Sequence, residues 1–270
     1  SGFAPFYAAR AALFSEAAGE QQLTDLKKAI DLDKDEWRYS KLLSEYYIAH
    51  GDNGKALSVA EPFYKTHDKN YIIGMLYAKT LLLNNRYRQC SDLLAAIDIL
   101  PFEGATVGRE LYHEAALMQA LEAMKNKNYS KALSLVEDAK KWPQNLGVGK
   151  PYPENIDERL EDWVTYLCYQ KQGKREQAQR SLQAIVLFNP KVENTVSNFL
   201  PANDLVTAWA LAKLDSKEKA GEWLNGEIKQ YPHNKIIAWC RQVFDNKNLP
   251  EIGDFNNAEV RILEKLMLVE

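Results

Sequence analysis

Helix breakers are scarce in this chain: 270 residues hold 13 glycines and 10 prolines. That excludes a collagen-like or low-complexity polypeptide and leaves room for long stretches of Ala, Leu, Lys and Glu, the residues that favour helices. Long apolar runs are missing too. None approaches the ~18–20 residues needed to span a bilayer, and no signal-peptide pattern is present, so no membrane insertion is expected. The chain nonetheless opens "SGFAPF" without a Met; Ser1-Gly2 reads as a cloning remnant and the rest as part of a longer protein. Charge of one sign is not in excess. A net charge of −3 and a pI near 5.9 provide no basic field to hold nucleic acid. The three cysteines, Cys90, Cys168 and Cys240, stand far apart with no CxxC pair. They read as small buried helical thiols and favour a reducing, cytoplasmic compartment. Four histidines, His50, His67, His113 and His233, lie neither three nor four residues from one another or from a cysteine, so no local metal site is expected. There is no G-x-S-x-G and no local Cys/His signature. The expectation is a protein without catalysis and without a cofactor.

What is present is a repeat. "GDNGKALSVAEPFY", "NRYRQCSDLLAAI", "KNYSKALSLVEDA", "GKREQAQRSLQAI" and "DSKEKAGEWLNGE" each begin at a turn and run into an amphipathic helix. Each places a small residue five positions after the turn: Ala56, Cys90, Ala132, Ala178 and Ala220, at spacings of 34, 42, 46 and 42. Tyr87 and Tyr129 share the aromatic position two residues past the turn, and Pro190 and Pro232 the closing position. A first helix precedes each turn: "WRYSKLLSEYYIAH", "YIIGMLYAKTLLLN", "ELYHEAALMQALEAMK", "LEDWVTYLCYQKQ" and "DLVTAWALAKL". Gly51, Asn85, Gly173 and Asp215 are the residues expected to take left-handed backbone in these turns, and Lys127 is the poorest fit to that role.

On these residues the chain resembles the tetratricopeptide repeat family over nearly its whole length, the first spacing being that family's period and the others the period with insertions of 8, 12 and 8 residues. The resemblance implies an all-α fold, a right-handed α-solenoid of about six to seven antiparallel helix pairs with a concave face lined by first helices. Repeats fall near 3–36, 37–70, 71–112, 113–158, 159–200 and 201–234, followed by a terminal pair at 235–270, in one continuous domain with an insertion loop at 143–158. The final "VRILEKLMLVE" is apolar on more than one side, suited to packing on the preceding pair or on another chain.

"NLGVGKPYPENIDERLEDW", residues 145–163, invites a phosphate-cradle reading, but a Walker loop needs two glycines four residues apart, then Lys and Ser or Thr, between a strand and a helix. Here Gly147 and Gly149 are one residue apart, Lys150 is followed by Pro151, and "YSKALSLVEDAKKW" ahead of them reads as a helix ending near Trp142-Pro143. The segment is either an ordered insertion between repeats or a recognition loop whose contacts would be Lys150, Tyr152 and the acids of "ENIDER". Glu158, Glu161 and Asp162 fit a helix start, where carboxylates meet the dipole; a glycosidase pair is the other reading. The segment also resembles one in the C-terminal repeat regions of large bacterial proteins in which a β-rich domain, reminiscent of carbohydrate-active enzymes, comes first. That likeness implies an accessory region docking on an upstream domain or assisting glycan binding.

Groove positions taken from the repeat resemblance are Arg38, Lys41 and Glu45 in the first clear repeat, Ile72, Met75 and Lys79 in the second, and Glu114, Leu117 and Leu121 in the third. Trp163, Trp209 and Trp239 recur at similar depth in later first helices. They either pack between helices or form an aromatic stripe on the concave face, suited to a peptide or a sugar. The expected function is a non-catalytic scaffold binding a protein or peptide partner, or an upstream domain of the same chain, with a glycan as the alternative.

Overall fold

The computed structural model describes residues 2–13, 19–101, 105–188, 200–246 and 257–269, and every extended regular element among them is a helix. Two compact units are formed, residues 1–115 with 143–148 and residues 116–142 with 149–270. The first unit holds α1 (Ala4–Leu13), α2 (Gly19–Leu32), α3 (Trp37–Ala49), α4 (Asn53–Thr66), α5 (Tyr71–Leu83), α6 (Tyr87–Ala96) and the first half of α7 (Val107–Lys125). The second holds the rest of α7 with α8 (Tyr129–Ala139), α9 (Arg159–Lys171), α10 (Arg175–Leu187), α11 (Asn203–Leu214), α12 (Lys217–Gln230), α13 (Lys235–Asn246) and α14 (Ala258–Met267). Helices thus form where the repeat places them; α8 stops at Ala139, short of the expected Trp142, and Pro190 lies outside the described residues.

Within the first unit each helix from α1 to α6 packs on the next, and α3 also meets α5. Within the second, consecutive helices from α8 to α13 pack together, and the odd-numbered ones meet directly, α9 with α11 and α11 with α13. A helix touching its hairpin partner and the equivalent helix of the next hairpin is the packing of an α-solenoid.

Short polar side chains start the helices. Asp52, Asn128, Ser216 and Asn257 each accept a backbone N–H from three residues on, and Asn70 accepts from Ile72 and Ile73. These caps satisfy donors that no earlier carbonyl can reach. In α1 and α2 the pinning contact is ionic: the Arg10 Nε donates to Asp25 at 2.6 Å, and that guanidinium holds the Asp25 carboxyl below its usual range.

Four turns share one geometry. Gly51, Asn85, Lys127 and Gly173 all have φ between 58° and 73°. After each, the next residue's N–H reaches back to the helix: Asp52 to the Tyr47 carbonyl at 2.8 Å, Arg86 to Leu81 at 2.9 Å, Asn128 to Ala123 at 2.8 Å and Lys174 to Tyr169 at 2.9 Å. These are Schellman turns, which use up the orphan carbonyls of the first helix. Lys127 therefore takes the left-handed role that its side chain disfavours. Asp215 does not: its φ is −133°, because α11 runs one residue further into this turn and the Ser216 hydroxyl starts α12 from extended backbone.

Ala56, Cys90, Ala132 and Ala220 are completely buried and Ala178 is 6% exposed. Close approach at this position is visible in the first unit, where the Ser44 hydroxyl of α3 donates to the Ala56 carbonyl of α4 at 3.0 Å. Around it, Ala11, Leu26, Leu43 and Tyr47 form one core cluster; Ala60, Phe63, Ile73 and Leu76 form another. Burial pushes the Cys90 thiol up to about 12 and Cys168 up to about 11.

The turns generate a stability prediction. Left-handed backbone costs a residue with a Cβ about 1–2 kcal/mol, partly offset by the greater unfolded-state freedom of glycine. Lys127→Gly is expected to stabilise the chain by about 0.5–1 kcal/mol in urea titrations. Gly51→Ala and Gly173→Ala, where a Cβ would meet nothing within 4 Å, are expected to destabilise through backbone strain alone. A neutral or unfavourable Lys127→Gly contradicts this reading.

Candidate functional site

The segment from 143 to 163 is built from two anchored halves. In the first unit Pro143 leads into a 3-10 turn, Gln144–Leu146, and Gly147 closes it with φ +72°. Asn145 caps the end of α6: its side-chain amide donates to the Leu94 and Ile97 carbonyls at 2.9 and 2.8 Å, and its own carbonyl accepts the Ile99 N–H at 2.7 Å. Gly147 lies so close that a Cβ would stand 2.8 Å from the Ile99 carbonyl oxygen. Both the positive φ and the contact require glycine. The backbone N–H groups of Leu146 and Gly147 also turn inward, to the Pro143 and Gln144 carbonyls, so this turn is spent on the chain itself.

In the second unit the segment passes a 3-10 turn, Pro153–Asn155, and reaches a buried ionic network at the start of α9. Arg159 is the hub. Its Nε and Nη2 donate to the two oxygens of Asp157 at 2.9 and 2.7 Å, and its Nη1 donates to Asp204 at 2.8 Å and to the Thr207 hydroxyl at 2.9 Å. Its guanidinium carbon stands 5.1 Å from the Phe188 ring centroid. The Arg159 side chain is 4% exposed, Asp157 0% and Asp204 1%. The planar fork of arginine satisfies two carboxylates at once, which a lysine ammonium cannot match. One positive charge faces two negative ones, so one carboxylate is surplus. Burial pushes the Asp204 carboxyl up to about 7, against the pull of Arg159, and its Oδ2 makes no hydrogen bond among the described residues.

The acids expected at the helix start are held as well. Lys140 bridges Glu158 at 3.0 Å and Asp162 at 2.9 Å, and burial raises the Asp162 carboxyl while Lys140 opposes the rise. Lys150 and Tyr152 point outward from the loop, Tyr152 at 75% exposure.

The remaining candidate positions fall into two groups. On α3, Arg38 is exposed and salt-bridged to Glu36, and half-buried Lys41 and Glu45 pair at 2.6 Å. On the adjoining α5, Ile72, Met75 and Lys79 are half-buried. These side chains share neighbouring first helices and remain reachable. Leu117, Leu121 and Glu114 are buried in α7. Trp163 and Trp239 are 2% and 3% exposed, and Trp209 is half-buried with its ring centroid 5.4 Å from that of Trp163. Trp163 also lies 4.9 Å from Tyr166. These indoles pack between helices more than they line a surface.

The Arg159 network escapes a reading of the sequence because Asp157 and Asp204 are 47 positions apart, and "ENIDER" looks like any acidic helix start. Among the described residues no group of His, Cys, Asp and Glu could hold a metal ion, and no helix is long and apolar enough to cross a membrane.

No protein-family model matches this chain, and no curated protein matches it. A solved structure from a functional characterisation of PilF of Pseudomonas aeruginosa is similar to it at 13% identity, with a TM-score of 0.45, over 91% of this chain and 97% of that one. Function is accordingly read from the residues.

Two predictions come from the buried network. Arg159→Met leaves two carboxylates buried without their cation, and removing one partner of such a pair costs about 3–5 kcal/mol; a loss below about 1 kcal/mol in urea unfolding contradicts the network's role. The second concerns pH. A carboxyl whose pKa is higher folded than unfolded keeps its proton longer in the folded state. Its contribution is greatest below the unfolded value of about 3.9, declines as pH rises toward 7, and levels off above it. Asp204→Asn removes the surplus charge. Relative to the parent, its melting temperature should be higher at pH 7.5 than at pH 5; a difference independent of pH sinks this assignment.

Proposed function

We propose that this chain is a non-catalytic protein-interaction module. The observation that carries the reading is the direct contact of α3 with α5. Two successive first helices meeting side by side present reachable Lys41, Glu45, Met75 and Lys79 on neighbouring ridges. Mixed charged and apolar positions of this kind suit a partner segment laid across helices: apolar contact supplies affinity, and the charges set orientation and choice of partner. The ionic groups that elsewhere would suggest acid–base chemistry are tied to one another. Lys140 holds Glu158 and Asp162, and Arg159 holds Asp157 and Asp204.

The test is affinity capture from lysate of the source organism, run with the parent chain and with Lys41→Glu/Lys79→Glu. Both lysines are half-buried and Lys41 pairs with Glu45, so the melting temperature of the double variant is measured alongside and the capture is run below both transitions. The expected result is a specific protein enriched by the parent and reduced at least about tenfold by the double variant, the loss that ~1.4 kcal/mol of binding energy produces. Capture unchanged by the reversal, or no protein enriched over a blank support, overturns the reading.

A further inference from the structure

One place in the second unit gathers four lysines. Lys125 ends α7, Lys127 stands in the turn after it, Lys171 ends α9, and Lys213 lies one residue before the end of α11. All four line a single groove of about 300 Å³, with Trp163 and Leu167 in its lining. Exposed Leu268 and its neighbour Val269 form another part of the wall. None of the four ammonium groups has a carboxylate within ion-pair distance among the described residues.

The helix dipole accounts for a lysine at the ends of α7, α9 and α11. It does not account for Lys127, which keeps a side chain where the backbone has φ 58° and where the equivalent residues of two other turns are glycines. Nor does it explain why four such groups converge on one groove in a chain whose net charge is −3. Like charges gathered in one place repel, and that repulsion is relieved when an anionic partner arrives. The volume suits one large side chain rather than a folded domain.

We propose that this groove binds an acidic peptide segment of a partner protein, one large apolar side chain entering beside Trp163 and Leu167 and its carboxylates meeting Lys125, Lys127, Lys171 and Lys213. The inference rests on the interaction role proposed above but not on the α3–α5 face.

Fluorescence anisotropy tests it, using labelled short peptides titrated with the full chain: Asp and Glu around one Leu, the same with Gly for Leu, and a Lys counterpart. The acidic Leu peptide should bind best. Its affinity should fall by about an order of magnitude when salt is raised from about 0.05 to 0.5 M, because screening shortens to a few ångström. Lys171→Glu/Lys213→Glu should weaken it at least about tenfold with an unchanged melting temperature. Lys127→Gly should weaken it while raising stability, a combination that a purely structural lysine would not give. The inference is overturned if the Lys peptide binds as well, if Lys171→Glu/Lys213→Glu leaves the affinity unchanged, or if Lys41→Glu/Lys79→Glu weakens it equally. It is also overturned if a single-stranded nucleic acid of equal charge displaces the peptide as readily as unlabelled peptide does, since the groove would then be a general polyanion site. Partner capture through α3 and α5 without any acidic-peptide binding removes this inference and leaves the interaction role standing; failure of both removes both.

Discussion

Everything in this fold depends on how closely the second helix of each hairpin can approach its neighbours. A two-helix hairpin has too little interior to hide its apolar stripe, so each pair is stable only against the next. The position five residues after each turn lies buried inside that contact. Ala56, Cys90, Ala132, Ala178 and Ala220 occupy it, and none keeps more than 6% of its surface. A small side chain here sets the spacing of the helices. The spacing in turn decides which first helices meet, α3 with α5 and α9 with α11, and so which side chains stand on neighbouring ridges.

The 143–163 segment shows the same economy in an irregular region. An insertion between helices has backbone groups to satisfy and few apolar side chains with which to hold itself. Asn145 meets the first need by capping α6, and Gly147 allows the chain to press on Ile99. Arg159 meets the second by binding Asp157 and Asp204 together out of water. An ion pair so buried contributes specificity more than net stability, since desolvation offsets much of the attraction. It locks the entry of α9 to the start of α11 in one geometry. Gly147, Asp157, Glu158 and Asp162, which in the sequence resemble parts of a binding loop, are thus each held by the chain around them.

The helices were readable from the chain because periodicity is a local signal: small residue, turn and apolar stripe recur within one window. The turns were readable only in part. Gly51, Asn85 and Gly173 announce left-handed backbone by residue type, while Lys127 adopts it against its preference because the hairpin on either side demands it, and Asp215 escapes it because α11 runs one residue further into the turn. Side-chain roles were the least readable. Whether Trp163 packs or faces solvent depends on Trp209 and Tyr166 arriving beside it. The convergence of Lys125, Lys171 and Lys213 on one groove depends on three helices ending at the same level. Neither is a property of any single stretch.

The most direct test of the close-approach account is a comparison of two enlargements by urea unfolding: Ala132→Leu at a fully buried repeat position and Ala95→Leu on the exposed side of α6. The account predicts a loss of about 1–3 kcal/mol or more at Ala132, where the extra volume must push helices apart, and a change within about 0.5 kcal/mol at Ala95. Equal effects at the two sites would mean that the small residues do not set the helix spacing.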